Sequence, residues 1–205
     1  VRRMRYKRDF HTATLLQDGK VLVVGGAKDE VAHKSAEVYD PVEDTWMLTS
    51  SMLMTRGLHT ATLLDDGRVM VIGGRGNEEF GMIEVEFFNP VERTWVEGPE
   101  LFRSRVGHTA TLLQNGNLIV VGGETPDYEI FDPNQDKWIE QGRTEQNRRD
   151  HTATLLQNGN VLVTGGGETD NTAEVYDTKT HKWNPSGELI EGRATHTATL
   201  LKDGR

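Results

Sequence analysis

The 205-residue sequence contains no cysteine, and this absence excludes several kinds of chemistry at once. Without thiols there is no disulfide, no thiolate nucleophile and no thiolate metal ligand. The redox compartment stays open, because a chain without thiols is compatible with every compartment.

Long apolar stretches are also missing. No run approaches the roughly 20 apolar residues that a membrane-spanning helix needs. The basic opening VRRMRYKRDF is not followed by the apolar core of a signal peptide. The sequence therefore predicts a soluble protein without membrane contact, and it assigns no cellular location.

Basic residues are in the minority, since 23 Lys and Arg stand against 32 Asp and Glu for a net charge of −9. Proteins that grip a phosphate backbone usually have the opposite balance, so nucleic acid is not an expected partner. Proline and aromatic residues are scarce as well, at 6 prolines and 7% aromatic residues, whereas glycine occurs 22 times. This composition favours many short strands joined by tight turns.

What the sequence does contain is an internal repeat. The string HTATLL begins at His11, His59, His108, His151 and His196, so successive copies lie 48, 49, 43 and 45 residues apart. After each of the first four copies come a glycine pair, an aromatic residue with Asp or Asn, and a tryptophan seven residues after that aromatic. The expected units are residues 11–58, 59–107, 108–150 and 151–195, with a partial unit formed by 196–205 and 1–10.

Each repeat is predicted to form four short strands, named a to d in chain order. Strand a is the HTATLL run, strand b ends at the glycine pair, strand c holds the aromatic residue and strand d starts at the tryptophan. An Asx-Gly dipeptide between a and b predicts a hairpin turn with positive φ at both central positions. Strand b is apolar on both faces, so each sheet must be covered on both sides. Side-by-side stacking of the sheets as the blades of a β-propeller achieves this.

These motifs resemble the kelch repeat. The resemblance rests on the glycine pair that ends strand b, the Tyr/Phe-Asp of strand c and the tryptophan that follows. The Arg-x-x-His-Thr-Ala-Thr-Leu-Leu run with its Asp-Gly turn is similar to the bacterial kelch branch that resembles the central domain of galactose oxidase. The resemblance implies an all-β propeller of kelch type over residues 1–205, with four complete four-stranded blades plus a partial fifth.

The sequence opens and stops within a repeat. We therefore expect a piece of a longer propeller of five to eight blades. The alternative is a homo-oligomer in which two chains complete each other's partial blade.

The b–c and d–a connections are predicted to share one face of the blades. Only the b–c connections vary in length and chemistry, and variable loops on a rigid scaffold are where binding usually resides. The candidate binding residues on these loops are charged: Asp29, Glu30, Arg75, Glu78, Glu79, Asp127, Glu168 and Asp170. Their acids fit solvated surfaces better than a catalytic carboxylate pair.

An arginine lies three residues before each repeated histidine: Arg8, Arg56, Arg105, Arg148 and Arg193. As a binding element these guanidinium groups would take carboxylates or phosphates of a partner. Recurrence in every blade favours instead a structural role, in which each arginine bonds to carbonyl or acid groups. The five repeated histidines are interpreted in the same way, and neither a metal nor another cofactor is expected.

Catalytic signatures are scarce. The sequence has no Gly-x-Ser-x-Gly, phosphate-binding glycine loop or His-Glu-x-x-His motif. Galactose-oxidase-like copper chemistry would need a cysteine, which this chain lacks. The preferred hypothesis is a non-enzymatic scaffold that binds a protein or peptide through the b–c and d–a loops. The alternatives are a carbohydrate-binding or sugar-transforming propeller and a fragment that self-assembles through its incomplete blade.

Overall fold

A computed structural model describes residues 3–78, 80–167 and 170–205 of the chain. Within these residues the chain is all-β, with four antiparallel four-stranded sheets that coincide with the four repeats. This confirms the predicted β-propeller fold with four complete blades. The described part contains no helix, and so none that is long and apolar enough to cross a membrane.

The chain divides into two compact units, Val1–Val106 and Gly107–Arg205, which hold two blades each. Blade 1 consists of strands Thr12–Leu15, Val21–Val24, Ala36–Asp40 and Thr45–Leu48, and blade 2 of Thr60–Leu63, Val69–Ile72, Val85–Asn89 and Thr94–Glu97. Blade 3 consists of Thr109–Leu112, Leu118–Val121, Thr125–Asp132 and Lys137–Arg148, and blade 4 of Thr152–Leu155, Val161–Thr164, Ala173–Asp177 and Lys182–Pro185.

The strands of every blade are hydrogen-bonded in the order a, b, c, d. In blade 1, Val21 pairs with Tyr39 and Tyr39 pairs with Trp46, so the repeated aromatic residue and the tryptophan are cross-strand partners. Their ring centroids are 5.0 Å apart, and the equivalent pair in blade 2 is 4.9 Å apart. The fixed spacing of seven residues thus reflects a four-residue turn between two paired aromatic positions.

The turn between strands a and b differs from the prediction. Gly19 has a φ of 83°, but Asp18 is not in the positive-φ region. Leu16 and Lys20 are paired through Leu16 N and Lys20 O at 2.8 Å, so the loop has three residues rather than two. Three-residue hairpins of this kind place a single left-handed residue, here the glycine, at their last position.

Apolar side chains of neighbouring blades form the core within each unit. In the first unit, Leu22, Val24 and Val38 of blade 1 pack with Val69, Val71 and Phe88 of blade 2. In the second, Ile119, Val121 and Ile130 of blade 3 pack with Val161, Val163 and Tyr176 of blade 4. Strand b is buried on both faces in blades 2 and 3, as its sequence predicts, whereas Leu162 and Thr164 of blade 4 are only half-buried.

Two local elements depart from the common pattern. The b–c connection of blade 1 contains a small hairpin of strands Ala27–Lys28 and Val31–Ala32. Strand d of blade 3 runs for 12 residues, three times the length of strand d in the other blades.

The partial fifth blade is not confirmed. Residues 196–201 repeat the strand a sequence but form no strand, and residues 3–8 form none either. Contacts with blade 4 are nevertheless present, because His196 Nε2 lies 3.1 Å from Thr152 Oγ1.

Candidate binding face

The recurring arginines are held inside the blades. Arg56 is fully buried, and its Nη1 donates to the carbonyl oxygens of Gly73 and Glu84, both at 2.9 Å. Its Nη2 lies 2.7 Å from Oε1 of Glu86, a buried residue of strand c. Burial lowers the pKa of Arg56, and the charge and hydrogen bond of Glu86 counter that effect.

Equivalent ion pairs occur in two other blades. Arg8 pairs with Glu37 and Arg148 pairs with Glu174, each at 2.8 Å. Arg105 is also fully buried, whereas Arg193 is exposed. The geometry of Arg8, Arg56 and Arg148 is that of blade-stabilising groups, because any partner would have to displace buried contacts to reach them.

The main chain of the same arginines joins neighbouring blades. Gly26 N of blade 1 donates to Arg56 O at 2.8 Å, while the Arg56 side chain enters blade 2. A Cβ on Gly25 would lie only 2.4 Å from Arg56 O and 2.9 Å from the ring of His59. The glycine pair is thus required where the arginine and histidine of the next blade approach strand b.

The repeated histidines also connect blades. His59 Nε2 lies 2.8 Å from Thr12 Oγ1, and His151 Nε2 lies 2.8 Å from Thr109 Oγ1. Burial lowers the pKa of His59 to about 3, with the charges of Arg56 and His11 adding to the effect. This histidine is therefore neutral at pH 7. Among the described residues no group of three or more His, Asp or Glu could hold a metal ion.

The b–c and d–a connections meet on one face, as predicted. Isolated bridges pair Asp9 with Ala27 and Gly57 with Arg75, each joining a d–a connection to the start of a b–c connection. In the first unit this face contains a cavity of about 380 Å³. It is lined by apolar and polar residues of both blades: Phe10, Ala27, Glu30, Ala32, Gly57, Leu58, Arg75, Gly76 and Asn77.

Two predicted site residues, Glu30 and Arg75, come together at this cavity. Asp29 is exposed and pairs with Lys28 at 2.5 Å. Glu78 is exposed as well, and its carbonyl oxygen lies 3.4 Å from Arg75 Nε. Glu79 and Glu168 lie outside the described residues.

The other two predicted residues belong to the second unit and make ion pairs there. Asp127 accepts from Thr125 Oγ1 at 2.7 Å and lies 3.5 Å from Arg143 Nε. Asp170 lies 2.9 Å from Nη1 of the buried Arg148. In the same unit Arg149 pairs with Glu124, so the loop face of this unit carries paired charges.

The cavity residues Phe10, Leu58 and Asn77 were not predicted from the sequence. Asn77 Oδ1 accepts from Ala32 N at 2.7 Å and so ties the b–c loops of blades 1 and 2 together. Phe10 and Leu58 directly precede the repeated histidine, at a position where the chain is otherwise variable. That variability beside an invariant motif is the signal that could have found them.

Comparison with known proteins supports the fold and the repeat. A family model described as the Kelch motif matches residues 11–53, which comprise blade 1 and the start of its connection to blade 2. No curated protein matches the sequence. The solved structure titled "Structure of YjhT" has a TM-score of 0.74 and 16% sequence identity, covering 93% of this chain and 69% of its own.

The likeness to that solved structure establishes the fold alone, since identity is low. The family match adds the motif in blade 1, and the same glycine pair, strand c aromatic and tryptophan recur in blades 2 to 4 at equivalent positions. The chain therefore has a β-propeller fold and carries a kelch motif in blade 1.

Proposed function

We propose that the chain is a non-enzymatic propeller that binds an extended protein segment through the b–c and d–a loops of blades 1 and 2. The observation that carries this proposal is that the b–c and d–a connections contributing to the cavity also expose large apolar side chains. Phe10 is 63% exposed, Val31 56% and Phe80 79%. Exposed apolar residues grouped beside a cavity are typical of binding surfaces.

The two units differ on this face. In the first unit, apolar residues of the b–c and d–a connections line the cavity together with the charged Glu30 and Arg75. In the second unit, Asp127, Arg149 and Asp170 are engaged in ion pairs within the unit. A partner would gain more from covering apolar surface than from competing with ion pairs that are already formed.

Selection of peptides from a displayed random 12-residue library tests the proposal. We expect enriched peptides that bind the chain and lose at least tenfold affinity for a Glu30→Lys/Arg75→Glu variant. The matched control is Val42→Glu/Val91→Glu, which places charges on exposed turn residues between strands c and d. Equal binding to both variants, or no enrichment at all, would contradict the proposal.

A carbohydrate ligand is the second candidate. It is favoured by the presence of an aromatic ring, Phe10, together with the polar groups of Glu30, Arg75 and Asn77 in one cavity. Aromatic faces cover the apolar side of a sugar ring, while carboxylate, guanidinium and amide groups bind hydroxyls. Glycan-array binding that is lost in the Glu30→Lys/Arg75→Glu variant, without peptide enrichment, would select this candidate instead.

A further inference from the structure

The residue before each repeated histidine has a left-handed backbone. The φ angles are 56° at Phe10, 55° at Leu58, 67° at Gly107, 55° at Asp150 and 52° at Thr195. Main-chain hydrogen bonds between neighbouring blades accompany this conformation: Leu58 N donates to Phe10 O at 3.1 Å and Asp150 N to Gly107 O at 2.8 Å. These hydrogen bonds involve main-chain atoms alone, so no side chain is required at this position. Gly107 occupies it in the second unit.

Phenylalanine and leucine are unfavourable at such a position. A left-handed conformation is rare for bulky residues, because Cβ approaches the following carbonyl oxygen. Packing does not compensate at Phe10, since 63% of this residue remains exposed. The repeat sets this backbone conformation, so the unusual feature is a bulky side chain that is kept there while exposed, which points to a role at the surface.

Both strained residues line the same cavity. Phe10 and Leu58, together with Ala27 and Ala32, provide its apolar lining, and Glu30 and Arg75 its charged lining. A volume of about 380 Å³ is at the small end of ligand pockets. That size suits one large side chain with the adjoining backbone better than a folded domain.

We propose that this cavity is an anchor pocket for one leucine- or phenylalanine-sized side chain of an extended partner segment, with Phe10 determining the preference. The inference rests on the proposed function and specifies the partner's chemistry. The Arg75 guanidinium donates to backbone carbonyls of the bound segment, and the Glu30 carboxylate accepts from its N–H groups. These opposite charges match the donors and acceptors that alternate along any extended backbone.

NMR titration of the 205-residue chain with three capped amino acids tests the pocket. The ligands are N-acetyl-phenylalanine amide, N-acetyl-leucine amide and N-acetyl-alanine amide. We expect the first two to shift the amide resonances of Gly57, Leu58 and Asn77 and to bind about tenfold more tightly than the alanine compound. The reason is the additional apolar surface that the larger side chains bury.

The decisive variant is Phe10→Gly. We expect it to weaken binding of N-acetyl-phenylalanine amide at least fivefold, while its thermal stability equals or exceeds that of the original chain because strain is relieved. Asp150→Gly is the matched control, since it alters the equivalent left-handed position in the second unit. It should leave binding of all three compounds unchanged.

Three outcomes would overturn the inference. They are equal binding of the three compounds, unchanged binding by Phe10→Gly, and a loss of stability in Phe10→Gly, which would assign Phe10 to packing. Library peptides that still require Glu30 and Arg75 would then leave the proposed function standing while removing the anchor pocket. Shifts of the same resonances by methyl glucoside, but not by the amides, would replace the anchor with a sugar site.

Discussion

The interface between blades 1 and 2 and the interface between blades 3 and 4 share their inner contacts but differ at their outer edges. At both, a histidine bonds a strand a threonine of the preceding blade, and a glycine N–H donates to the carbonyl of the arginine. These contacts involve residues that recur in every repeat. The inner part of the interface is therefore constant.

The outer edge between blades 1 and 2 is closed by a tryptophan. Trp95 Nε1 of blade 2 donates to Ser50 O of blade 1 at 2.9 Å. The indole is buried against Phe88, with ring centroids 4.9 Å apart. One neutral hydrogen bond joins the blades at this edge, from an indole that packs at a tilt against Phe88 of its own blade.

Blades 3 and 4 use a carboxylate instead. Glu140 Oε1 accepts from Tyr128 OH at 2.8 Å and Tyr176 OH at 3.0 Å, and Oε2 lies 2.5 Å from His181 Nδ1. Partial burial acts to raise the pKa of Glu140, but the bonds from His181 and the two tyrosines outweigh it, so the pKa is lowered. The corresponding tryptophan, Trp183, has a buried Nε1 that finds no acceptor among the described residues.

The two interfaces therefore share their histidine and glycine contacts, whereas the groups at their outer edges differ in how they respond to pH. An edge closed by an indole is insensitive to pH. An edge closed by a carboxylate loses its charged hydrogen bonds when that carboxylate is protonated.

The largest predicted effect tests whether the inner contacts are equivalent. Arg56→Met and Arg148→Met should each lower the free energy of unfolding of their own unit by about 3–5 kcal/mol, because each leaves a buried glutamate unpaired. Hydrogen exchange measured separately for each unit in urea would report the loss.

The exposed Arg75→Met provides the control and should stay within about 0.5 kcal/mol. Adding Glu86→Met to Arg56→Met should restore most of the stability, since no buried charge then remains. A loss of stability in only one of the two variants, Arg56→Met or Arg148→Met, would show that the arginine–glutamate pairs of the two units are not equivalent.

Acid should weaken the inner contacts through the buried histidine. The pKa of His59 is about 6.5 in the unfolded chain and falls to about 3 on folding. Between about pH 3 and pH 6.5 the unfolded chain therefore carries a proton on His59 that the folded chain does not. Stability of the first unit is therefore complete above pH 6.5 and decreases by on the order of 1 kcal/mol per pH unit as the pH falls towards 3. His59→Gln should flatten this dependence in urea titrations from pH 7 to 4, and an unchanged slope would assign the acid sensitivity to other groups.

Glu140→Gln tests whether the carboxylate at the outer edge of blades 3 and 4 stabilises the second unit. At pH 7 it should destabilise only the second unit, by about 1 kcal/mol, because charged hydrogen bonds to Tyr128, Tyr176 and His181 are replaced by neutral ones. The lowered pKa of Glu140 means that its contribution is present above the unfolded value and is lost as the pH falls through the folded value.

The difference between Glu140→Gln and the original chain should therefore vanish in acid. Glu43→Gln, at an exposed turn position of blade 1, is the control and should change neither unit. A persistent difference at pH 3 would show that the side chain acts through its shape and not its charge.

The smallest predicted effect is the difference in stability between Trp95→Phe and Trp183→Phe. Trp95→Phe removes the bond to Ser50 O, whereas Trp183→Phe removes an N–H without an acceptor among the described residues. The first substitution should be more destabilising than the second by about 1 kcal/mol. Equal losses in thermal unfolding would mean that the indole hydrogen bond adds nothing beyond ring packing.

Much of the fold was predictable because the same pattern of strand and turn residues recurs in each repeat. Strand c was predicted to hold the repeated aromatic residue, and strands Ala36–Asp40, Val85–Asn89, Thr125–Asp132 and Ala173–Asp177 each contain it. The turn between a and b was predicted with the wrong geometry, since the dipeptide Asx-Gly does not distinguish a two-residue from a three-residue loop. The 12-residue strand d of blade 3 was missed because its length depends on pairing with an extended strand c.

The candidate site was predictable only in part. The variable loops indicated Glu30 and Arg75, which line the cavity, but also Asp127 and Asp170, which form ion pairs in the second unit. The strand c glutamates that neutralise the arginines were overlooked, although both residues recur in every repeat. Recurrence of an acid with a base is a pairing signal that the sequence does carry.

By itself, the sequence determined the number of blades described, their strand order and the residues that every blade needs, since these follow from local periodicity and repetition. Only the tertiary structure decided which side chains are buried, which ion pairs form and where a cavity opens. Those features depend on contacts between residues about one repeat apart, such as His59 with Thr12. The left-handed conformation of Phe10 is of the same kind, because it accompanies a hydrogen bond from Leu58 in the next blade.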